Sequence, residues 1–359
     1  MAVYLNSTNC EYQIWFSLGS GRSVPTPRDR GLQAGDAMRT LLRWLVLGST
    51  WLTLGSAWAQ SYPDTSRPLK ILVPFGAASS TDLLARALAQ GITEVSGLNA
   101  IVENKAGAEG QIGMSAAKAA APDGYTLVMT TSSTQVLNPH MLGKLSYDPV
   151  ADFVPIGGVG KFALILNAGP SLPQKSAREF IEAARAHPGK YSFGSGTATT
   201  RLAGELLQSV AGIKLLSVPY KSQTEAITGL AGGQVDLVFM DLPGSAAQHK
   251  TGRVRPLAVS GASRMEALAN VPTLQEQGLA GFEVTGWWAT YFPAKTPPAV
   301  VAAMRGILQK AVKTQPVKDA FTNFGLEPMP VFGDELAAVQ RRDFDRWGKL
   351  VRSTNLTTQ

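Results

Sequence analysis

Cysteine is almost missing from this sequence. The chain has one, Cys10, and it precedes a segment that reads as an export signal. The remainder therefore has no disulfide framework, no thiolate metal site and no cysteine for lipid attachment. Histidine is nearly as scarce. His140, His187 and His249 stand far apart, without the H-E-x-x-H spacing of a zinc enzyme. No G-x-S-x-G nucleophile elbow occurs. A hydrolase or other enzyme thus lacks a nucleophile–base pair, and neither a metal nor a cofactor is expected. Charged residues are few and scattered, with Arg341 and Arg342 the one adjacent basic pair. That pattern argues against nucleic-acid binding, which concentrates basic charge in a stripe.

Gly158-Val159-Gly160-Lys161-Phe162-Ala163 resembles a dinucleotide fingerprint, but it runs into a strand where a phosphate would need a helix start.

What is present begins with the leader. Met38–Arg43 is a short basic start, Trp44–Leu54 an apolar stretch, and Ala57-Trp58-Ala59 offers small residues where a signal peptidase reads. The apolar stretch is too short to span about 30 Å of hydrocarbon. Residues 38–59 are therefore expected to be a cleaved signal peptide directing the chain to the periplasm. Residues 1–37, with Glu11, Asp29 and Asp36, fit no such leader and read as a misassigned extension ahead of a start at Met38.

From Leu69 onward short apolar runs alternate with amphipathic stretches. Leu69–Val73, Ala100–Glu103 and Leu127–Thr130 read as strands, separated by helices over Ser80–Val95 and Ile112–Ala121. After a glycine-rich stretch at Gly157–Gly160 the order resumes, with strands at Ala163–Asn167, Tyr191–Phe193, Leu215–Val218, Val235–Met240 and Leu257–Ser260. Capping boxes at Ser176–Glu179, Ser222–Glu225 and Thr273–Glu276 mark helix starts, and another helix spans Thr200–Ala211. Glu283–Phe292 is aromatic and strand-prone, and helices follow from Thr296 to about Lys313, over 317–324 and over 334–351. The βαβ order predicts an α/β chain with parallel-dominated sheets. Two lobes are expected, one from 60–162 with 285–359 and the other from 163–284.

Two loops have the chemistry of an anion site. Phe75-Gly76-Ala77-Ala78-Ser79-Ser80-Thr81-Asp82 follows a buried strand and enters a helix, so free N–H groups at the helix start can face a negative ligand. Asp82 complements the helix dipole. Ser195-Gly196-Thr197-Ala198-Thr199 repeats the arrangement in the other half. Each loop alone is also an ordinary helix cap; as a pair, one per lobe, they could converge on one group. Thr131 and Ser132 lie at a strand end, where open α/β sheets bind ligands. Asp241 ends the apolar strand Val235–Met240 and could orient a ligand or cap the next helix.

In order, the chain carries Tyr62-Pro63, Arg67-Pro68, Ile71-Leu72-Val73-Pro74-Phe75, Val102-Glu103-Asn104-Lys105-Ala106-Gly107-Ala108 and Ala121-Pro122-Asp123-Gly124-Tyr125. These are followed by Asn138-Pro139, Tyr147-Asp148-Pro149, Leu202-Ala203-Gly204-Glu205-Leu206, Val218-Pro219-Tyr220-Lys221, Gly232-Gly233-Gln234-Val235-Asp236-Leu237 and Val271-Pro272-Thr273. With these the sequence resembles the Bug family, also called TctC-like, the extracytoplasmic solute receptors of tripartite tricarboxylate transporters. The resemblance implies a type II periplasmic-binding-protein fold, two lobes joined by crossover strands. It also implies a small carboxylate (a di- or tricarboxylate, an acidic amino acid or an aromatic acid) held between the lobes by the two loops, with Thr131 and Ser132 lining the cleft and Asp241 reaching the ligand's distal group. The implied partners are a small and a large membrane subunit, and the implied state is a monomer. A ligand sensor for a signalling partner is the alternative. Two departures stand out. Ala78 and Ser79 replace two glycines usual in the family, and Arg201 replaces a common histidine. Arg201 and Trp287 are candidate specificity positions.

Overall fold

The computed structural model describes residues 62–353, so the segments read as a signal peptide and as an upstream extension lie outside the described residues. Helices and strands are numbered in chain order. The first sheet contains β1 (Leu69–Val73), β2 (Ala100–Asn104), β3 (Thr126–Thr131), β4 (Phe153–Ala163), β10 (Thr285–Pro293) and β11 (Glu327–Pro328), ordered β11-β4-β10-β3-β1-β2. The second contains β5 (Ile165–Ala168), β6 (Ser192–Ser195), β7 (Leu216–Pro219), β8 (Leu237–Met240) and β9 (Arg255–Val259), ordered β7-β6-β8-β5-β9. β1 pairs in parallel with β2 and β3, and β6 in parallel with β7 and β8. β10 runs against β3 and β4, and β5 against β8 and β9. Each sheet thus keeps most strands in one direction and takes one reversed strand inside it, β10 in the first and β5 in the second, while β11 is also reversed at the first sheet's edge. Each sheet is the centre of one lobe.

β1 reads Leu-Lys-Ile-Leu-Val and is buried except at Lys70, as expected where helices cover both faces of a parallel strand. Helix α1 (Ser80–Ser96) starts on Ser79, whose side chain accepts from the Asp82 N–H, and stops at Gly97 in a left-handed conformation. It buries Leu84, Leu88 and Ile92 and packs against α8 (Pro298–Ala311) and α9 (Gln315–Phe324).

The predicted elements match the observed ones closely, with informative exceptions. The glycine-rich stretch after which the alternating order resumes lies inside β4. Its glycines give clearance to the C-terminal elements: a Cβ on Gly157 would stand 2.5 Å from the Phe332 ring, and one on Gly158 2.6 Å from the Met329 carbonyl. The Thr273–Glu276 box closes in both directions, at 3.0 and 2.6 Å, yet opens only a turn. Helix α7 (Leu242–Lys250) is the helix that Asp241 could cap, and a π-turn over Ser133–Leu137 has no predicted counterpart.

The lobes are joined where β4 runs through Leu164 into β5, and again where the chain passes Val284 into β10. Ser260, fully buried, fastens both crossings. Its hydroxyl accepts from the Leu164 N–H and donates to the Val284 carbonyl, while its own N–H and carbonyl bond Leu164 and Val284 again. This bracket holds the two connections side by side and leaves the lobes to meet on one side of it.

Candidate functional site

Helix α1 in the first lobe and α5 (Ala198–Ala211) in the second begin at the mouth of a shared cavity. The cavity is lined by Phe75, Gly76, Ser79, Ser80, Thr81, Thr131 and Phe162 from one side. Leu164, Thr197, Thr199, Thr200, Gln223, Met240 and Asp241 line the other. Its volume is about 50 Å³, room for a few waters. Asp241 is the one ionisable side chain in that lining.

Both helix starts are prepared in the same way. At α1 the Ser79 hydroxyl accepts from the Asp82 N–H at 3.3 Å, and Asp82 in turn accepts from the Ala78 N–H at 2.9 Å. At α5 Thr197 and Thr200 form a reciprocal capping box. Gln223, at the start of α6 (Gln223–Ala231), braces that loop: its Oε1 accepts from the Gly196 N–H and from the Thr200 hydroxyl, both at 2.8 Å, and its Nε2 donates to the Phe239 carbonyl. These bonds use the amides around each start but not those of the first helical residues. Among the described residues, the main-chain N–H groups of Ser80, Thr81, Ala198 and Thr199 have no protein acceptor. The Thr199 hydroxyl is likewise buried without a partner. Four unpaired amides and an orphaned hydroxyl at two helix N-termini are donors of the kind that can meet an anion without a cationic side chain.

Asp241 caps α7 by accepting from the Gly244 N–H at 3.1 Å, and the same oxygen accepts from the Ser80 hydroxyl across the lobe boundary. The surrounding protein desolvates its carboxyl and pushes its pKa up, against the opposing pull of those two bonds. Asp241 therefore caps α7 and lines the cavity at once.

Other predicted site residues have different places. Asp82 faces Arg86 and the Ala78 N–H, outside the cavity. Burial works against its charge, yet the Arg86 and Ala78 bonds hold its carboxyl below the usual range. Ala77 and Ala78 are exposed, and Ser195, Gly196 and Ala198 contribute backbone without lining the cavity. Ser132 turns its hydroxyl to the Trp287 N–H. Trp287 itself points away and donates to Asp343 at 2.9 Å. Its neighbour Trp288 faces the site instead, donating to the Thr81 hydroxyl at 3.0 Å and packing on Phe162 at 4.4 Å between ring centres. Strand alternation puts these two indoles on opposite faces, and the motif alone did not select between them. Phe162, Leu164, Thr200, Gln223 and Met240 had no sequence signal beyond strand and helix patterning.

Ala78 holds φ 59°, a left-handed conformation that costs a residue with a Cβ about 1–2 kcal/mol. Ser79 does not share the strain, because as N-cap it is extended at φ −70°. Ala78→Gly is expected to raise unfolding free energy by about 1 kcal/mol. Urea denaturation followed by tryptophan fluorescence checks this; an unchanged or lower midpoint would contradict the strain.

Arg201 neither lines the cavity nor projects to solvent. It crosses the lobe boundary to Glu109 at 3.5 Å and to the Met141 carbonyl at 3.3 Å. Burial pushes the Glu109 carboxyl above its usual value, and Arg201 opposes that only in part. The folded state therefore favours protonated Glu109. Its contribution to stability is fully present below the ordinary glutamate value of 4.5 and is lost as pH rises through the elevated one. Glu205 has the same sign, so the comparison needs a variant. The melting temperature is expected to fall more steeply above pH 4.5 in the native protein than in Glu109→Gln, by a few degrees at most across the window. Equal slopes would show that the ion pair repays the burial.

A family model described as "Tripartite tricarboxylate transporter family receptor" matches residues 84–356. Protein BugT of Bordetella pertussis is 30% identical over 299 residues, covering 82% of this chain and 91% of BugT. The structure of the periplasmic binding protein BugD superposes with a TM-score of 0.78 at 29% identity, covering 83% of this chain and all of BugD. Rpa4515 of R. palustris, solved with adipate, gives a TM-score of 0.78 at 28% identity, covering 82% of this chain and 98% of that one. Among the described residues, no helix is long and apolar enough to cross a membrane.

Proposed function

Because the chain belongs to the tripartite tricarboxylate transporter receptor family, whose members bind solutes and are not enzymes, we propose that it is an exported receptor that captures a small carboxylate between its lobes and hands it to the transporter's small and large membrane subunits. Residues 38–59 would direct it to the periplasm. The hinge would divide lobe 60–162 with 285–359 from lobe 163–284. A carboxylate entering the cleft would accept from the free amides of Ser80 and Thr81 on one side and of Ala198 and Thr199 on the other, directly or through one water each. Binding to both helix starts at once favours the closed arrangement, because only there do both dipoles reach the same charge. The observation that supports this reading is a pair of helix starts with unpaired amides, one in each lobe, whose residues Ser80, Thr81 and Thr199 line one small cavity. The adipate bound by a relative is a carboxylate and supports the class.

Isothermal titration tests it, using protein stripped of ligand by unfolding and refolding and a panel of mono-, di- and tricarboxylates, acidic amino acids and aromatic acids. Micromolar or tighter binding of at least one acid is expected; no heat from any of them would overturn the reading.

A further inference from the structure

The cavity is asymmetric in a way that narrows its ligand. One end presents donors: the unpaired amides of Ser80, Thr81 and Thr199 and the Thr199 hydroxyl, with the Ala198 amide at the same helix start but outside the lining. The other end presents Asp241. Both bonds that Asp241 receives, from Ser80 and from Gly244, fall on Oδ1, so Oδ2 has no protein donor among the described residues. The two ends are close, because one residue belongs to both. Ser80 offers its free N–H to the anion end and its hydroxyl to Asp241. No lysine, arginine or histidine lines the space, and its walls otherwise include Phe75, Phe162, Leu164 and Met240. Arg201, near the start of α5, is outside the lining and is paired with Glu109.

Building on the receptor reading, we propose that this site selects small monocarboxylates that carry a hydrogen-bond donor, a hydroxyl or an amine, on the carbon beside the carboxylate. The carboxylate takes the amides. The donor takes Asp241 Oδ2, one serine's length away. The alkyl remainder lies on the apolar wall. A second ligand carboxylate would instead meet Asp241 with no cation to separate them, and two carboxylates sharing one site cannot both stay ionised. A dicarboxylate would have to enter with a proton taken up from solvent, so its binding should strengthen as pH falls. This sets the chain apart from the relative solved with adipate.

The test is isothermal titration at pH 7.5 with four-carbon acids of matched length: butanoate, 2-hydroxybutanoate, 2-aminobutanoate and succinate, with adipate as a fifth. The hydroxy or amino acid is expected to bind at least about tenfold more tightly than butanoate and succinate, with adipate weaker still. The hydroxy and amino arms tell a neutral donor from a charged one. Asp241→Asn keeps the helix cap, since asparagine caps as well as aspartate, and replaces the acceptor facing the cavity with an amide. It should reverse the order, weakening 2-hydroxybutanoate and 2-aminobutanoate and strengthening succinate. Succinate or adipate binding the native protein as tightly as the substituted monoacids would overturn this inference while leaving the receptor reading intact. Silence from every carboxylate would instead remove the receptor reading. An unchanged order in a folded Asp241→Asn protein, checked by its melting curve, would also contradict the role given to Asp241.

Discussion

Replacing Ala198 by proline is expected to weaken carboxylate binding by about ten- to a hundredfold while leaving the fold in place. Ala198 is the first residue of α5, where proline fits without breaking an intrahelical bond. The preceding Thr197 already has the extended conformation, φ −145° and ψ 158°, that a following proline demands. The substitution therefore deletes one N–H and little else. A hydrogen bond to a charged group contributes about 1.5–3 kcal/mol, which gives the stated range. The readout is the dissociation constant of the tightest acid found by titration, with the melting temperature as a control. Unchanged affinity in a normally folded variant would show that this amide does not face the ligand.

Gly196→Ala should have a larger effect by another route. A Cβ at Gly196 would stand 2.2 Å from the Ser222 carbonyl carbon and 2.4 Å from the Gln223 nitrogen. Those are main-chain atoms and cannot swing aside. The β6–α5 loop must move away from the start of α6, which pulls the Gly196 N–H from Gln223 and shifts the Thr197–Thr200 cap. Binding is expected to fall by more than about a hundredfold, since hydrogen bonds weaken steeply as they are bent or stretched. Overpacking should also cost about 1–3 kcal/mol of stability. Titration and chemical denaturation of the same preparation separate the two effects. Affinity within a few-fold of native would mean that the loop tolerates the methyl and that the Gln223 brace is dispensable.

Much of this arrangement can be read from residue order because its signals are local. A buried strand, a run of small residues and a hydroxyl cap define each helix start wherever they occur, and Ser79 and Thr197 behave accordingly. Asp241 is similarly legible, since a carboxylate closing an apolar strand has few ways to be satisfied. What sequence order conceals depends on the meeting of distant segments. The glycines at 157–160 look like a linker because the aromatic residues that require their clearance lie more than 150 residues later, at Phe321 and Phe332. Trp287 and Trp288 differ only in which face of β10 they occupy. Arg201 has a role only because Glu109 and Met141 arrive from the other lobe. Gln223 appears as an ordinary first-turn residue of a capped helix until β6 is placed beside it.

The division of labour between the lobes follows from the same geometry. The Ser260 bracket fixes the crossings. Ser80 with Asp241 and Arg201 with Glu109 are polar contacts across the boundary. The ion pair is not a strong clamp, since it is long and burial pushes its carboxyl's pKa up. In the proposed receptor, closure would thus be left to the ligand, and release of the cargo would stay easy.

A crystal structure of the native protein with its tightest-binding acid addresses the central arrangement directly. A ligand carboxylate should lie between α1 and α5, hydrogen-bonded to the N–H groups of Ser80 or Thr81 and of Ala198 or Thr199, directly or through single waters. A carboxylate found instead on Arg201, or in the space beside Trp287, with those four amides facing solvent, would contradict it.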